Sequence, residues 1–430
     1  MQAIIMAGGK GTRLRSITGD TIPKPMALIC GKPILEWQIE QLRENGITDV
    51  IMVIGHLGSC IQEYFKDGSA YGMTINYYQE EEPLGTAGAV HYLLGKLEEN
   101  FFLIFGDVIW NIDLKRMQNF HMENKSKATL FIHSNSHPYD SDLVITDNKN
   151  RITEILGKKE KRTEWFHNQV NAGFYMFHKS AFRSIKGNQK IDLESDVILP
   201  MIKNGENVFG YRSPEYIKDV GTPERIYSVE EDLKNKIVEK RNLKNKQKCI
   251  FLDRDGTINR YKGLLYKVED FELEKDVGEA IRMINHSGWL AIVVTNQPVV
   301  ARGLCDIKDV EIVHKKLEDL LGKQGAYLDD IVFCPHHPDK GYPEENALYK
   351  IECDCRKPKI GMIKYYKKKY NIDLKNSWII GDTSVDMQTG SNAGMHTGLV
   401  LTGMKGMDKK YTLSPEKEGK TLLELVNKIL

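Results

Sequence analysis

From its first residues the chain alternates short apolar runs with segments of helical periodicity. "QAIIMA" (2–7) reads as a strand, and "ILEWQIEQLREN" (34–45) repeats apolar residues at the spacing of a helix that Gly46 stops. "DVIMVIG" (49–55) and "FFLIFGD" (101–107) read as further strands. This alternation predicts an α/β architecture with a mostly parallel sheet. At 226–248, "IYSVEEDLKNKIVEKRNLKNKQK" lacks Gly and Pro and fills with charge, which predicts a solvated helix joining two units. A second α/β series starts at "KCIFLDRDG" (248–256) and continues through "GWLAIVVTN" (288–296) and "NSWIIGD" (376–382). Each of these runs ends in polar groups, at the carboxyl ends of strands where ligands of open α/β sheets bind.

Length supports the division, because 430 residues exceed a typical single core. Apolar residues make up 41% and the net charge is +1, so bulk electrostatics gives no reason to bind nucleic acid or an anionic membrane. "MQAIIMAGG" lacks a basic n-region and a long apolar h-region, and no run reaches the roughly 18 apolar residues of a membrane span. The expected setting is cytoplasmic and the expected partners are small molecules; oligomeric state is not encoded in these features. Of seven cysteines, Cys334, Cys353 and Cys355 crowd together in the manner of a metal site, whereas Cys30, Cys60, Cys249 and Cys305 read as ordinary thiols.

"MAGGKGTRLR" places Gly8, Gly9 and Gly11 straight after the first strand, with Thr12 and Arg13 behind them. Glycines let a backbone approach phosphate, and an arginine can neutralise charge on a transferred phosphoryl group. "PKPM" offers Lys24, "EPLGTAG" a second glycine loop, "FGD" Asp107 and "KDVGTPE" Asp219. In this order the motifs resemble the sugar-1-phosphate nucleotidyltransferases over residues 1–225. The resemblance implies triphosphate binding by the Gly8–Arg13 loop and stabilisation of the α-phosphate by Arg13 and Lys24. It further implies Mg²⁺ on Asp107 and Asp219, with Gly85, Thr86 and the rest of that loop near nucleoside and sugar. Glu194 in "IDLESD" resembles a glutamate that contacts sugar hydroxyls, and Asn171 with Gly173 in "VNAGFY" a sugar-floor motif. Where the family carries Glu-Lys-Pro this chain reads "ILGKKEKR", so Lys158 or Lys159 takes the place of the lysine that holds the sugar phosphate. The overall look is that of guanylyltransferases for mannose-1-phosphate and manno-heptose-1-phosphate, with Glu80 one carboxylate able to accept from guanine N1 and N2.

In "FLDRDGTINR" the carboxylates of Asp253 and Asp255 share one side of a strand end, because side chains two apart point the same way. Thr295, Lys357, and Asp382 with Asp386 follow in the order of the haloacid-dehalogenase-like phosphatases. The resemblance makes Asp253 the nucleophile of an aspartyl-phosphate, Asp255 the general acid and then base, and Thr295 and Lys357 the holders of the phosphoryl oxygens. Mg²⁺ falls to Asp253, Asp255 through its carbonyl, and Asp382, while Asp386 orients the site. "CPHHPDKGYPEENALYKIECDCRKP" supplies Cys334, His336, Cys353 and Cys355, a complete set for a closed structural Zn²⁺ site, with His337 the alternative to His336. The zinc loop leads into Arg356 and Lys357.

"FLDRDGTIN", "TNQ", "ARG", "CPHHP" and "CDCRKP" resemble the D-glycero-D-manno-heptose 1,7-bisphosphate 7-phosphatases over residues 248–405, with histidinol phosphatases sharing much of the pattern. Asn296 and Arg356 are expected at the substrate, and Arg302 on its remote phosphate. Pro298, Val299 and Val300 replace the usual Ser-Gly-Ile near the sugar pocket. The expected architecture is two Rossmann-like three-layer αβα domains: a nucleotidyltransferase fold at 1–225, a charged helical linker at 226–247, a haloacid-dehalogenase-like fold with a zinc loop at 248–405, and an extension at 406–430. A phosphatase that frees a heptose 1-phosphate and a transferase that consumes one imply consecutive steps toward an activated heptose, GDP-D-glycero-α-D-manno-heptose. The alternatives are a histidinol-phosphate-type phosphatase fused to a hexose nucleotidyltransferase, and a phosphatase regulated by a silent nucleotide-sugar-sensing domain.

Overall fold

The computed structural model describes residues 1–9, 14–19, 21–187, 189–412 and 414–430. The chain packs as two compact units. One comprises Met1–His133, Asp142–Gly157 and Val170–Asn242; the other comprises Ser134–Ser141, Lys158–Gln169 and Leu243–Leu430.

In the first unit the described residues form a nine-stranded mixed sheet. Its centre is parallel: β1 (Gln2–Met6) lies between β2 (Asp49–Ile54) and β4 (Asn100–Phe105), with β3 (Thr74–Gln79) outside β2. β5 (Val170–His178) runs antiparallel to β4 and continues the sheet. The strands read as unbroken apolar runs because helices cover both faces: Ile4, Ile51 and Leu103 enter one core and Ile5, Met52 and Ile104 the other.

The segment expected to be a solvated linker divides into α1 (Pro223–Lys234) and α2 (Ile237–Lys240), broken at Lys236, whose φ of 59° is left-handed. Its apolar stripe is not solvated. Ile226, Val229, Ile237 and Val238 are buried against Leu14, Ala27 and Ile109 of the first unit. The charges that dominate this stretch occupy the outer face of an amphipathic helix, which is how an inner apolar stripe escapes notice.

In the second unit six strands lie in one fully parallel sheet, in the order β8 (Asp330–Cys334), β7 (Leu290–Asn296), β6 (Cys249–Leu252), β9 (Trp378–Gly381), β10 (His396–Val400) and β11 (Lys417–Gly419). A parallel sheet carries all its carboxyl ends on one edge, so Asp253, Thr295, Cys334 and Asp382 arrive together. α3 (Ile307–Gly322) starts at a capping box of Asp306 and Asp309, and α4 (Ser384–Ala393) at one of Thr383 and Asp386. The 406–430 extension adds the edge strand β11 and a helix, α5 (Leu422–Ile429), whose Leu422, Leu425 and Val426 are buried.

Candidate active sites

The first site gathers where β1 to β4 end. The Ala7 N–H donates to the Val53 carbonyl at 2.8 Å and the Gly106 N–H to the Met6 carbonyl at 2.9 Å, so the sheet itself fixes the backbone leading to Gly8 and Asp107. A Cβ on Gly8 would stand 2.5 Å from the end of the Glu80 side chain, so a larger residue there would push that carboxylate aside. Burial raises the Glu80 carboxyl above its usual range, opposed by the Leu84 N–H that it accepts at 3.2 Å. Gly85, at φ +83°, lies against the Ile191 carbonyl. Beside it the Thr86 hydroxyl accepts the Leu193 N–H at 2.7 Å and donates to Asp192 at 3.2 Å. This loop therefore carries the segment of Glu194, and the Asn171 amide donates both to Glu194 and to the Tyr175 hydroxyl, the latter at 2.8 Å. Gly173 closes the group at φ +71°, where a Cβ would meet the Phe105 ring at 2.9 Å.

The two acidic positions come together through strand pairing. Tyr216–Asp219 runs antiparallel to Val108–Asn111 with Asp219 opposite Val108, and the Val220 N–H donates to the Asp107 carbonyl at 2.9 Å. Each carboxylate carries its own cation: Lys24 pairs with Asp107, and Arg225 with Asp219. Arg225 is a site residue that the motifs do not announce, although its place in the first turn of the helix after "GTP" was visible. Two adjacent carboxylates suit a hard cation, and their present partners show that the spot favours positive charge. Gly11, Thr12 and Arg13 lie outside the described residues. Lys158 and Lys159 begin the segment that packs with the second unit.

The second site lines a cavity of about 180 Å³ at the carboxyl edge of the parallel sheet, bounded by Asp253, Asp255, Thr295, Lys357, Asp382 and Asp386, with Tyr261, Pro298 and Lys410 on its outer wall. The Lys357 ammonium lies 2.9 Å from Asp253 and 2.6 Å from Asp386. Burial alone would lower the lysine's pKa, but these two carboxylates outweigh it and raise it. Burial pushes the Asp253 carboxyl up to about 6 against the pull of Lys357, and burial with Asp253 and Asp386 pushes Asp382 up to about 8. Asp386 does double duty, because its other oxygen accepts from the Thr383 N–H at 3.2 Å and hydroxyl at 2.5 Å at the start of α4. Removing Lys357 would leave buried carboxylates uncompensated, a cost of about 3–5 kcal/mol.

Oxygens of Asp253, Asp382 and Asp386 all lie within 4.8 Å of one another. Asp382 accepts the Met404 N–H at 2.7 Å through one oxygen, while its other oxygen is buried without a hydrogen-bond partner. A buried, unpartnered carboxylate oxygen facing two further carboxylates fits a divalent cation. The Asp255 carboxylate turns elsewhere, to Arg254, Asn259 and Gln297, which leaves its backbone carbonyl as the group for a metal.

Of the residues expected at the substrate, Asn296 and Arg356 line the cavity and Arg302 does not. The Asn296 amide is committed to the backbone of Lys357, accepting its N–H at 3.0 Å and donating to its carbonyl at 3.1 Å, so Asn296 sets the height of the lysine. Arg302 stacks on the Tyr342 ring at 4.5 Å and does not line the cavity, whereas Arg356 does, and donates to the His336 carbonyl at 3.1 Å.

Behind Lys357 the thiols of Cys334, Cys353 and Cys355 stand 3.2–3.5 Å apart, with His336 Nδ1 at 3.6 Å from Cys334 and 3.3 Å from Cys355. A tetrahedral zinc with Zn–S of about 2.3 Å sets its ligands about 3.8 Å apart, so the donor set and its spacing are compatible with zinc. Between the two histidines the geometry selects His336, because His337 Nδ1 accepts the Asp339 N–H at 3.2 Å.

Comparison with known proteins agrees with both halves. Residues 2–236 match the family model described as nucleotidyl transferase, and residues 354–425 the one described as HAD-hydrolase-like. D-glycero-alpha-D-manno-heptose 1-phosphate guanylyltransferase of Aneurinibacillus thermoaerophilus is 34% identical over 241 residues, covering 55% of this chain and 100% of that protein. D-glycero-beta-D-manno-heptose-1,7-bisphosphate 7-phosphatase of Haemophilus ducreyi is 36% identical over 179 residues, 41% of this chain and 93% of that protein. The alpha-specific counterpart named from Photorhabdus laumondii is 39% identical over 160 residues, 37% of this chain and 85% of that protein. Among the described residues no helix is long and apolar enough to cross a membrane. The chain belongs to the nucleotidyl transferase family over its first part and to the haloacid-dehalogenase-like hydrolases over its second.

Proposed function

We propose that the chain is a bifunctional cytoplasmic enzyme of nucleotide-activated heptose synthesis, with the transferase in the first unit and the phosphatase in the second. Its phosphatase removes the 7-phosphate of D-glycero-D-manno-heptose 1,7-bisphosphate, and its transferase joins GMP from GTP to the heptose 1-phosphate. The observation that carries the reading is the single lysine, Lys357, held between Asp253 and Asp386 at the mouth of a loop bound by a Cys₃His cluster.

An Asp253 oxygen attacks phosphorus as the bond from phosphorus to the C7 oxygen breaks, and Asp255 gives its proton to the departing alkoxide. Lys357 and Thr295 neutralise and orient the phosphoryl oxygens. Water then attacks the aspartyl-phosphate, yields its proton to Asp255, and releases phosphate. In the first unit an oxygen of the sugar 1-phosphate attacks the α-phosphorus and pyrophosphate leaves, with Arg13 and Lys24 offsetting the charge and Gly8, Gly9, Gly11 and Thr12 supplying the backbone grip. Asn171, Gly173 and Glu194 hold the sugar, and Glu80, Gly85 and Thr86 the nucleoside. Asp253, the Asp255 carbonyl and Asp382 would hold one Mg²⁺ and Asp107 and Asp219 another, and the ion would supply positive charge to the reacting phosphate. Cys334, His336, Cys353 and Cys355 would hold a structural Zn²⁺, which would fix the loop that carries Arg356 and Lys357.

The test is a substrate panel with Mg²⁺. Each anomer of the heptose 1,7-bisphosphate and histidinol phosphate are scored for phosphate, and heptose 1-phosphate with GTP, ATP, CTP or UTP for pyrophosphate. Phosphate from a heptose bisphosphate and pyrophosphate with GTP is the expected pattern. Turnover of histidinol phosphate alone, or no pyrophosphate with any nucleotide, contradicts it.

A further inference from the structure

The Asp255 carboxylate is held on three sides. Asn259 donates to one oxygen at 3.0 Å and Gln297 to the other at 2.8 Å. Arg254 forks onto both, through Nη2 at 3.0 and 2.9 Å and through Nε at 3.3 Å. That guanidinium is 0% exposed. A fully buried cation must satisfy its remaining donors, and Arg254 Nη1 faces His314 Nε2 at 3.3 Å. A guanidinium only donates, so Nε2 is the acceptor and the imidazole is neutral with its proton on Nδ1. Burial, and then the Arg254 charge, hold the His314 pKa well below its usual value, in accord with that assignment.

His314 stands on α3, its ring edge-on to Phe333 at 5.3 Å. The same helix is fastened by residues far earlier in the chain: His167 Nδ1 meets Glu318 at 2.6 Å, and the Tyr139 hydroxyl donates to Asp319 at 2.5 Å. Ser134–Ser141 and Lys158–Gln169 thus belong structurally to the unit they brace.

The geometry points to His314 and Arg254 as a positioning relay for Asp255, in which a neutral imidazole accepts from the guanidinium and so keeps its fork aimed at the carboxylate that protonates the leaving oxygen. The inference rests on the reading of Asp255 as general acid. Neither relay residue meets substrate; each acts by fixing the orientation of a group whose proton must reach one atom.

A general acid matters greatly for an alkoxide leaving group and little for p-nitrophenolate, which leaves without protonation. His314→Leu, His314→Gln, Arg254→Lys and Asp255→Asn are therefore compared on the sugar bisphosphate and on p-nitrophenyl phosphate, in the full chain with Mg²⁺. His314→Leu is expected to lower kcat on the sugar ester by about tenfold or more with KM nearly unchanged, and to leave the aryl ester within about twofold. His314→Gln, whose amide oxygen can accept from Arg254, restores most of the loss. Arg254→Lys keeps the buried charge without the fork and shows the same split even should the leucine variant fail to fold. Parallel losses on both esters for His314→Leu and Arg254→Lys, with Asp255→Asn still splitting them, overturn the relay alone. Parallel losses for Asp255→Asn overturn the general-acid reading and the relay with it.

Discussion

The two candidate sites hold their carboxylates in opposite electrostatic regimes. Asp107 and Asp219 are each matched by one cation, Lys24 and Arg225, and their side chains remain 32% and 39% exposed. Asp253 and Asp386 share the Lys357 ammonium in a buried pocket and Asp382 brings a third carboxylate within 4.8 Å of both, with Arg356 and Lys410 also on the cavity wall. The first arrangement is balanced one to one before any ligand arrives, whereas the second crowds carboxylates together where burial magnifies their repulsion. Burial first, and then the neighbouring carboxylates, lift Asp253 to about 6 against the pull of Lys357 and Asp382 to about 8. The lesson is that the two halves should respond differently to cations and to pH although both are expected to use Mg²⁺.

The sharpest separation comes from single substitutions. Asp253→Asn should cut phosphate release on the order of 10³-fold or more and leave pyrophosphate release from heptose 1-phosphate unchanged, while Asp107→Asn should do the reverse. Steady-state assays of both products on each variant check this, and loss of both activities in either one would break the distinction.

Next in size is the cysteine cluster. Cys353→Ser should remove the bound zinc, destabilise the second unit by several kcal/mol and abolish phosphate release, with the transferase retained. Metal analysis and denaturant unfolding of the purified variant measure it.

The pH response of Mg²⁺ binding is smaller and directional. A carboxyl raised to about 8 must lose its proton to bind the metal, so affinity at the phosphatase site should rise up to about tenfold per pH unit between pH 6 and 8 and then level off. The same sign governs the metal-free protein. Its second unit should lose stability as pH climbs from the unfolded carboxyl value of 3.8 toward 8, because the unfolded chain ionises first. Calorimetry in buffers of different ionisation enthalpy reads the released proton, and a pH-independent affinity would contradict the picture of crowded, buried carboxylates.

The smallest effect concerns the brace on α3. Burial opposes protonation of His167, but Glu318 and Glu311 prevail and raise it to about 9. Its stabilisation is then complete below the unfolded value of 6.5 and lost as pH rises through 9. After allowance for solvent screening, His167→Ala should cost about 1 kcal/mol at pH 6 and almost nothing at pH 10, by denaturant unfolding.

Much of this was readable from motifs because catalytic chemistry fixes residue type and order: the Asp-x-Asp strand end, Lys357, the Gly-Asp-x-x-x-Asp strand end and the cysteine set all converge in space. What escaped was whatever depends on partners distant in sequence. Asn296 is consecutive with Thr295 and reads as a substrate contact, and only the fold shows that its amide also ties down the Lys357 backbone 61 residues away. Arg254 reads as the spacer between two aspartates, and only the fold brings His314 to it. The 226–248 stretch shows its charges in the sequence, but its buried stripe is defined by the surface it covers. Residues 134–141 carry no motif and 158–169 only the two lysines that open it, and their place beside α3 follows from tertiary packing alone.

The most direct test of the two-site account is a pair of incubations with the α anomer of the heptose 1,7-bisphosphate, GTP and Mg²⁺, using the unaltered chain and Asp253→Asn and following phosphate and pyrophosphate separately. The account predicts phosphate before pyrophosphate from the unaltered chain, neither from Asp253→Asn, and pyrophosphate from Asp253→Asn once heptose 1-phosphate is added. Pyrophosphate released from the bisphosphate by Asp253→Asn, or none from heptose 1-phosphate by either protein, would contradict it.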